Sequence, residues 1–337
     1  HRLRPEGAVV WVEAIDGWLV LDRQAAIEVM RDAATFTVDD PRFTTGRVVG
    51  PSMLSLDGAE HDRHRSPFVA PYRRGALAHL ETWIEGRASR LVDELVPAGS
   101  AELRTRFAAP LATLTIHRSL GLVETDPAEL LSWYRAIVPA VSELSAGGVA
   151  PPEAATAMAR LRDAVAVTVA ARPDSMLGLV ARELAADEVA QNAAIVLFGA
   201  IETAEGMIAT AVWHVLTTPG LQDRLREDRT LVPALVEESL RLEPAASVVD
   251  RYATANTAVG GASISAGDLV RVSLAGANRD PKVFSNPDRL DIDRPDARLH
   301  LSFASGPHTC IGLVLARMET VAAVDALLTG TAWLDVD

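Results

Sequence analysis

The sequence has a single cysteine, Cys310, in 337 residues. A single cysteine cannot form a disulfide within the chain, so packing must hold the fold, as expected of a protein made in a reducing compartment. Zinc sites built from several cysteines are excluded for the same reason. Cys310 is then either an inert buried thiol, the commoner state of a free cysteine, or a ligand.

Positive charge and long apolar runs are also scarce. The chain has 32 Lys and Arg against 45 Asp and Glu, a formal net charge of −13, which argues against nucleic acid as a partner. The longest apolar candidate, residues 193–201, ends at Glu202 and falls short of the roughly 18 residues of a membrane span. Residues 1–4 do not resemble the start of a secretory signal. We therefore expect a cytoplasmic protein with neither a membrane nor nucleic acid as a partner.

The rest of the composition is globular. Hydrophobic residues make up 49% and charged residues 23% of the chain, which is enough apolar material for a deep core or an apolar pocket. No internal repeat, low-complexity tract or linker divides the sequence. Residues 1–337 are therefore predicted to form a single domain.

Apolar periodicity predicts a mainly helical chain that opens with a β-hairpin. The apolar runs 8–12 and 17–21 flank a polar turn at Asp16 and indicate the hairpin. A second strand-rich segment is expected over residues 251–272. Apolar residues at three- and four-residue spacing predict helices over 22–31, 75–96, 107–120, 127–144, 152–171, 221–226, 232–242 and 313–328.

The longest predicted helix covers residues 187–217. Asp187 is its expected N-cap, and Thr218-Pro219-Gly220 supplies the stop. Because this helix is apolar on nearly every face around residues 194–201, it should lie in the middle of the protein. The expected fold class is mainly α, with a long central helix and small β-sheets at one side.

The strongest motif surrounds the cysteine. Phe303-Ala304-Ser305-Gly306-Pro307-His308-Thr309-Cys310-Ile311-Gly312 is a loop that brings Cys310 to the start of a helix. Free backbone N–H groups and the positive end of the helix dipole at that position favour a thiolate over a thiol.

This loop resembles the haem-ligand loop of the cytochrome P450 family, F-x-x-G-x-H-x-C-x-G, and matches it at all five defined positions. The resemblance implies the family's fold and a haem b cofactor, iron protoporphyrin IX. It also implies that Cys310 is the proximal iron ligand, that Phe303 packs near the sulfur and moderates its donation, and that His308 contacts a haem propionate. Thiolate ligation favours cleavage of the O–O bond.

A second motif, Glu238-Ser239-Leu240-Arg241, lies on a predicted helix. Side chains three residues apart can pair on one helix face, although such pairs are usually exposed. Its place upstream of the cysteine loop resembles the family's E-x-x-R motif, to which the family adds a later arginine, here Arg294. The resemblance implies that Glu238, Arg241 and Arg294 form a buried structural network that supports haem incorporation.

The third motif, Gly199-Ala200-Ile201-Glu202-Thr203, lies in the middle of the long apolar helix. A buried acid and alcohol need hydrogen-bond partners there. The segment resembles the family's [A/G]-G-x-[D/E]-T motif, with Ala200 where glycine is usual. The resemblance implies that Thr203 hydrogen-bonds dioxygen and that Glu202 relays protons. The alternative is a Thr203 bonded back to a helix carbonyl and a Glu202 in a salt bridge.

Four side chains resemble the family's propionate-binding set. His61 and Arg65 share a helix face after the Asp57-Gly58 turn, Arg251 follows residues 243–250, and His308 belongs to the cysteine loop. Each alone is an ordinary surface residue. Together they provide the convergent cations that a dianionic cofactor requires.

The substrate pocket is expected to be lined from the loop before His61, the central helix and the segment before Arg251. The candidates are almost wholly apolar, so a largely hydrocarbon substrate is predicted, with ordinary core packing as the alternative for each residue. These candidates are Val48, Val49, Met53, Leu54, Phe198, Ile201, Ala246, Ser247, Val248 and Val249.

Oxygen activation requires electrons, and no flavin or iron–sulfur motif is visible in the chain. A separate redox protein such as a ferredoxin, with its reductase, is therefore expected. Arg63, Arg73 and Arg74 could form a basic docking patch for it, or a solvated cluster with no partner.

The sequence thus favours a haem-thiolate monooxygenase that hydroxylates or epoxidises a small, largely apolar molecule. A peroxide-driven or oxidative-coupling enzyme would use the same iron, and a haem-binding sensor or carrier without catalysis is the non-enzymatic alternative. Relative to the family, the chain is expected to lack a leading segment and a terminal β-hairpin, either naturally or by trimming.

Overall fold

The computed structural model describes residues 3–336. Within that range the chain forms thirteen α-helices and seven β-strands. The helices are α1 (Arg23–Arg31), α2 (Thr45–Val49), α3 (Gly58–Val69), α4 (Arg74–Leu95), α5 (Ala109–Leu120), α6 (Pro127–Ser145), α7 (Pro152–Ala171), α8 (Met176–Val180), α9 (Ala186–Thr217), α10 (Leu221–Glu227), α11 (Val232–Leu242), α12 (Leu274–Ala277) and α13 (Leu313–Gly330). The strands are β1 (Val9–Val12), β2 (Gly17–Val20), β3 (Phe36–Thr37), β4 (Val248–Ala253), β5 (Thr257–Val259), β6 (Ala262–Ile264) and β7 (Leu269–Ser273).

Five strands form one sheet in the order β1-β2-β7-β4-β3, and β5 pairs with β6 in a separate hairpin. The predicted N-terminal hairpin is confirmed, because β1 and β2 are antiparallel and Val9 lies opposite Val20. β2 also runs parallel to β7, and Gly17 is needed there because a Cβ would lie 2.9 Å from the Leu269 carbonyl oxygen. The second predicted strand-rich segment is confirmed too, but it starts earlier, since Val248 already pairs with β7.

The long helix α9 lies at the centre of the main hydrophobic core, as predicted. It contacts α5, α7, α11 and α13 along its length. By length and composition it could cross a membrane, with a mean hydropathy of 1.6 over its most apolar window, but half of that window is buried inside the fold. Glu202 interrupts the apolar run, so the sequence shows no uninterrupted apolar stretch of this length.

The predicted N-cap of α9 is wrong. The helix begins at Ala186, so Ala185 is the cap residue, and its N–H donates to the Glu188 carboxylate at 2.9 Å. Asp187 lies inside the first turn and pairs with Arg162 at 2.7 Å. A carboxylate in the first turn still stabilises the helix, because it interacts favourably with the helix dipole.

Two hydrophobic cores organise the chain. The larger one joins the helices around α9, and the smaller one lies between α1 and the five-stranded sheet, with Met30, Phe36 and Val270 among its buried members. Before α5 the chain makes a π-helical turn (Arg104–Ala108), so the helix predicted over 107–120 begins two residues later. The cysteine loop runs from the small core to α13, which packs on α9.

Candidate functional site

The cysteine loop is held in one conformation by its own backbone and by α1. The Cys310 N–H donates to the Phe303 carbonyl oxygen at 2.8 Å, and the Thr309 N–H donates to the Gly306 carbonyl oxygen at 3.1 Å. Gly306 has a φ of 79°, and a Cβ there would lie 2.5 Å from the Met30 carbonyl oxygen. Only glycine therefore lets the loop pack this closely against α1.

Cys310 is accessible to solvent although protein atoms surround it on most sides. Burial raises the pKa of its thiol, while the Gly312 N–H and the charges of Arg65 and Arg317 lower the pKa by less. Desolvation therefore outweighs these contacts and favours the thiol in the free protein, contrary to the expectation from the helix start. A thiol that coordinates a metal ion is deprotonated regardless.

The side chain of Phe303 lies between the cysteine loop and α11. Arg317 stacks over its ring at 4.5 Å, and the ring packs against the buried cluster of Met207, Val236 and Leu240. Its backbone carbonyl supplies the contact to Cys310 that closes the loop.

One face of the otherwise buried helix α9 is open. Gly199 and Glu202 are exposed and Thr203 is half-buried, in the middle of a helix whose other faces lie in the core. A Cβ built at Gly199 would meet no atom within 4 Å. Polar and small residues three and four positions apart therefore line an accessible stripe on the central helix.

The acid and the alcohol of this stripe both have protein partners. The Thr203 hydroxyl donates to the Gly199 carbonyl oxygen, the back-bonded state that the sequence left as an alternative. Glu202 Oε2 accepts from the Tyr134 hydroxyl at 3.0 Å, so its partner is a phenol on α6 and no cation. Burial and the nearby Glu202 charge raise the pKa of Tyr134, which keeps the phenol protonated as a donor.

Three of the four expected cationic side chains lie around the cysteine loop. Arg65 donates to the Thr309 carbonyl oxygen, next to Cys310. The rings of His61 and His308 are 4.4 Å apart. His61 is buried, its Nδ1 lies 3.1 Å from Asp62 Oδ1, and its Nε2 has no hydrogen-bond partner.

Arg251 completes the cationic set from β4. Its side chain is buried, and this burial lowers the pKa of the guanidinium. The charges of Asp57 and Asp250 raise the pKa by less. Asp57 also accepts a hydrogen bond from His308 Nε2 at 2.8 Å. The same carboxylate therefore interacts with both Arg251 and the histidine pair. The sequence did not single out Asp57, because His308 is 251 residues away and only the fold brings them together.

Glu238, Arg241 and Arg294 form a buried ionic network. Arg241 makes a bidentate pair with Glu238 at 2.7 and 2.8 Å, and both side chains are fully buried. Arg294 Nε donates to Glu238 Oε1 at 3.1 Å. The remaining donors of both arginines reach backbone carbonyls, among them those of Asn278 and Ser285, so the buried charges are well satisfied.

A neighbouring ionic cluster was not predicted. Glu237 accepts from Arg317 at 2.5 and 3.0 Å and contacts His300 at 3.2 Å. Burial would raise the pKa of Glu237, but these partners outweigh it and hold the pKa at about 2. The cluster ties α11 to α13 directly beside the Phe303 ring. In the sequence this cluster is marked only by the position of Glu237 next to Glu238, and Glu237 is not part of the E-x-x-R motif.

The substrate-pocket candidates divide into two groups. Val49, Met53 and Ile201 are only 1–4% exposed and pack in the main core, which is the core-packing alternative that the sequence left open for each residue. The others are at least partly accessible, with Phe198 beside Tyr134 in a small apolar gap between α6, α7 and α9. These partly accessible candidates are Val48, Leu54, Phe198, Ala246, Ser247, Val248 and Val249.

The expected basic patch is only partly free. Arg63 pairs with Glu188 at 2.6 Å and with Glu60 at 2.8 Å, so neighbouring carboxylates compensate its charge. Arg73 and Arg74 are exposed and have no carboxylate partner within residues 3–336. Of the three arginines predicted to contact a redox protein, Arg73 and Arg74 therefore remain candidates and Arg63 does not.

Comparison with known proteins identifies the class. Residues 153–330 match the family described as cytochrome P450. Cytochrome P450 105A3 of Streptomyces carbophilus is 33% identical over 94% of this chain and 81% of its own length. The P450 monooxygenase PikC of Streptomyces venezuelae is 32% identical over 97% of this chain and 82% of its own. The chain belongs to the cytochrome P450 family.

Solved structures agree with this assignment. P450BioI, in a complex with an acyl carrier protein carrying hexadec-9Z-enoic acid, superposes with a TM-score of 0.90 at 25% identity, over 99% of this chain and 91% of that one. HmtN, a post-tailoring hydroxylase involved in himastatin biosynthesis, gives a TM-score of 0.87 at 28% identity, over 99% of this chain and 88% of that one. The chain is accordingly an oxidoreductase of the P450 monooxygenase type, a family that implies a haem cofactor, an organic substrate and a redox partner.

The residues present fit a haem. The accessible thiol of Cys310 is a soft ligand suited to iron, and within residues 3–336 no cluster of three His, Cys, Asp or Glu side chains offers a competing metal site. The buried, unpartnered Nε2 of His61 suits an incoming carboxylate. Arg65 beside Cys310 and the buried Arg251 supply charges that complement two propionates.

Proposed function

We propose that this chain binds haem b through Cys310 Sγ and uses dioxygen to oxidise a small, largely apolar organic molecule by hydroxylation or epoxidation. The observation that carries the proposal is the loop closed by the Cys310 N–H and the Phe303 carbonyl, which presents an accessible thiol beside Arg65. When bound, the haem supplies the iron chemistry that activates oxygen.

The chain's own cations would hold the cofactor's carboxylates. Arg65 and Arg251 provide permanent positive charge, and His61 provides a buried ring nitrogen that lacks a protein partner. His308 adds a second imidazole 4.4 Å from the first. Because these groups come from α3, β4 and the cysteine loop, they would fix the orientation of the cofactor as well as its depth. The buried Glu238 network would stabilise the same loop region during haem incorporation.

Glu202 and Thr203 are the candidates for proton delivery. They lie on the open stripe of α9, where an acid and an alcohol are accessible to solvent. Glu202 would pass protons while the Tyr134 hydroxyl holds one of its oxygens, and the Thr203 hydroxyl would exchange the Gly199 carbonyl for dioxygen. This pair favours an oxygen-dependent enzyme over a sensor or carrier, which needs no proton relay.

The substrate and the electron source complete the proposal. The accessible lining candidates are apolar apart from Ser247, which fits a hydrocarbon face next to the iron. Electrons would come from a ferredoxin with its reductase, in the cytoplasm, and the exposed Arg73 and Arg74 are candidates for contacting an acidic partner. Relatives named for vitamin D3 and for nocardicin C show that this degree of likeness does not carry a substrate with it.

The test is the coupling of electron use to product. The purified protein is supplied with a surrogate ferredoxin, its reductase and NADPH, and screened with apolar substrates. Thr203→Ala should keep haem bound and NADPH consumption running while the product formed per NADPH falls by about tenfold. Thr210→Ala, on the same helix, is the control and should leave coupling unchanged. Unchanged coupling in Thr203→Ala would refute the relay, and no oxygen-dependent product in the wild type would refute the proposed reaction.

A further inference from the structure

Asp57 lies immediately before α3, where an aspartate would normally accept hydrogen bonds from the first N–H groups of the helix. It makes no such bond. Its Oδ2 accepts instead from the Thr37 hydroxyl and the Val38 N–H, each at 2.7 Å, and its Oδ1 lies 2.8 Å from His308 Nε2. The carboxylate therefore connects the end of β3 to the cysteine loop.

This contact decides which nitrogen of His308 is available. Burial would raise the pKa of Asp57, but the hydrogen bonds from His308, Thr37 and Val38 outweigh it and hold the pKa at about 2. An ionised carboxylate can only accept, so His308 Nε2 must carry a proton and donate it to Asp57. Nδ1 is the remaining ring nitrogen, and no hydrogen bond to it is present within residues 3–336. It can donate to a second carboxylate only when the ring carries both protons.

The surroundings of His308 indicate which kind of group its Nδ1 would contact. The neighbouring ring of His61 is 4.4 Å away and has a buried Nε2 without a partner. Arg251 is also buried, and it is close enough to Asp57 for the carboxylate charge to act on the pKa of its guanidinium. Two unpartnered imidazole nitrogens beside a buried arginine make a cradle for carboxylate groups.

We propose that Asp57 is a positioning residue of the cofactor site, which accepts a hydrogen bond from His308 Nε2 so that the Nδ1–H of the doubly protonated ring donates to a carboxylate of the haem. This inference rests on the proposed cofactor site. The opposite role is that Asp57, an anion among cations, competes with the propionates for His308. The two roles predict opposite effects on haem affinity when the charge of Asp57 is removed.

The first test is a double-mutant cycle on haem affinity. Haem-free wild type, Asp57→Asn, His308→Phe and the double variant are titrated with haem, and the transfer of haem to a competing apoprotein is timed. Asp57→Asn should weaken binding by about tenfold, and it should have no effect in the His308→Phe background. Asp39→Asn is the matched control, since Asp39 is exposed and its carboxylate makes no hydrogen bond or ion pair within residues 3–336. It should bind haem within about twofold of the wild type.

A second variant and an NMR spectrum distinguish the positioning role from a general effect on folding. Thr37→Val removes a different hydrogen bond of Asp57 and should also stay within about twofold, because the His308 contact remains. In the haem-free protein, nitrogen NMR of the labelled imidazoles should find His308 Nε2 protonated in the wild type. In Asp57→Asn the proton should no longer be confined to Nε2.

Different outcomes would overturn the positioning role of Asp57 and the proposed cofactor site. Equal or tighter haem binding in Asp57→Asn would overturn the positioning role, as would a tenfold loss that persists in the His308→Phe background. A wild type that binds no haem, or a His308→Phe that binds as tightly as the wild type, would overturn the proposed cofactor site and the positioning role with it.

Discussion

Glu319 is a fully buried acid whose replacement should change how stability depends on pH. It lies on α13, 3% exposed, and burial raises its pKa to about 8, against a small opposing effect of Thr115. Neither the Thr115 hydroxyl nor Glu319 Oε1 makes a well-formed hydrogen bond. The carboxyl group is therefore neutral in the folded protein at neutral pH.

The sign and size follow from the two pKa values. The unfolded chain releases this proton near its ordinary pKa of 4.5, while the folded chain keeps it up to about 8. Between these values the folded state binds one more proton, so the free energy of unfolding falls by about 1.4 kcal/mol for each pH unit that the pH rises. Between about pH 5 and 7 the loss is about 3 kcal/mol.

The assay is urea unfolding of the wild type and Glu319→Gln at several pH values over this range. Titration of the other groups, including the buried histidines, contributes to both proteins and cancels in the difference. Glu319→Gln should gain about 3 kcal/mol relative to the wild type between about pH 5 and 7. Parallel pH profiles for the two proteins would refute the assignment of a neutral buried Glu319.

Two further predictions concern the elements that hold the site. Glu238→Gln leaves Arg241 and Arg294 without their buried carboxylate and should cost about 3–5 kcal/mol in urea unfolding, so a loss below about 1 kcal/mol would contradict the buried network. Gly306→Ala places a Cβ 2.5 Å from the Met30 carbonyl oxygen and should reduce the fraction of protein that retains haem. Gly147→Ala is its control, because Gly147 has a similar φ of 81° but a Cβ there meets no atom within 4 Å, and equal haem loading in the two variants would contradict the steric argument.

The sequence predicted the parts of the fold that local patterns determine. Apolar periodicity found α9 and most other helices, and the polar turn at Asp16 marked the first hairpin. The start of α9 was missed because Asp187 is a good cap residue in isolation, whereas the chain turns into the helix two residues earlier. Helix ends depend on such tertiary contacts as much as on propensity.

The site was predictable where a fixed motif describes it. The pair of Glu238 and Arg241 was found because the two residues lie three positions apart along the chain. Asp57 with His308, and Glu237 with Arg317, were missed because each contact joins residues that are far apart in sequence. The pKa of Cys310 was misjudged for a related reason: the helix start is visible in the sequence, but the depth at which it is buried is not.

The central claim is that Cys310 provides the thiolate ligand of a haem. The most direct measurement is the absorption spectrum of the reduced, haem-loaded protein after addition of carbon monoxide. The wild type should give the strongly red-shifted Soret band of thiolate-ligated haem, and Cys310→Ser should lose that band. A wild-type spectrum of the histidine-ligated kind, or a red-shifted band that persists in Cys310→Ser, would contradict the claim.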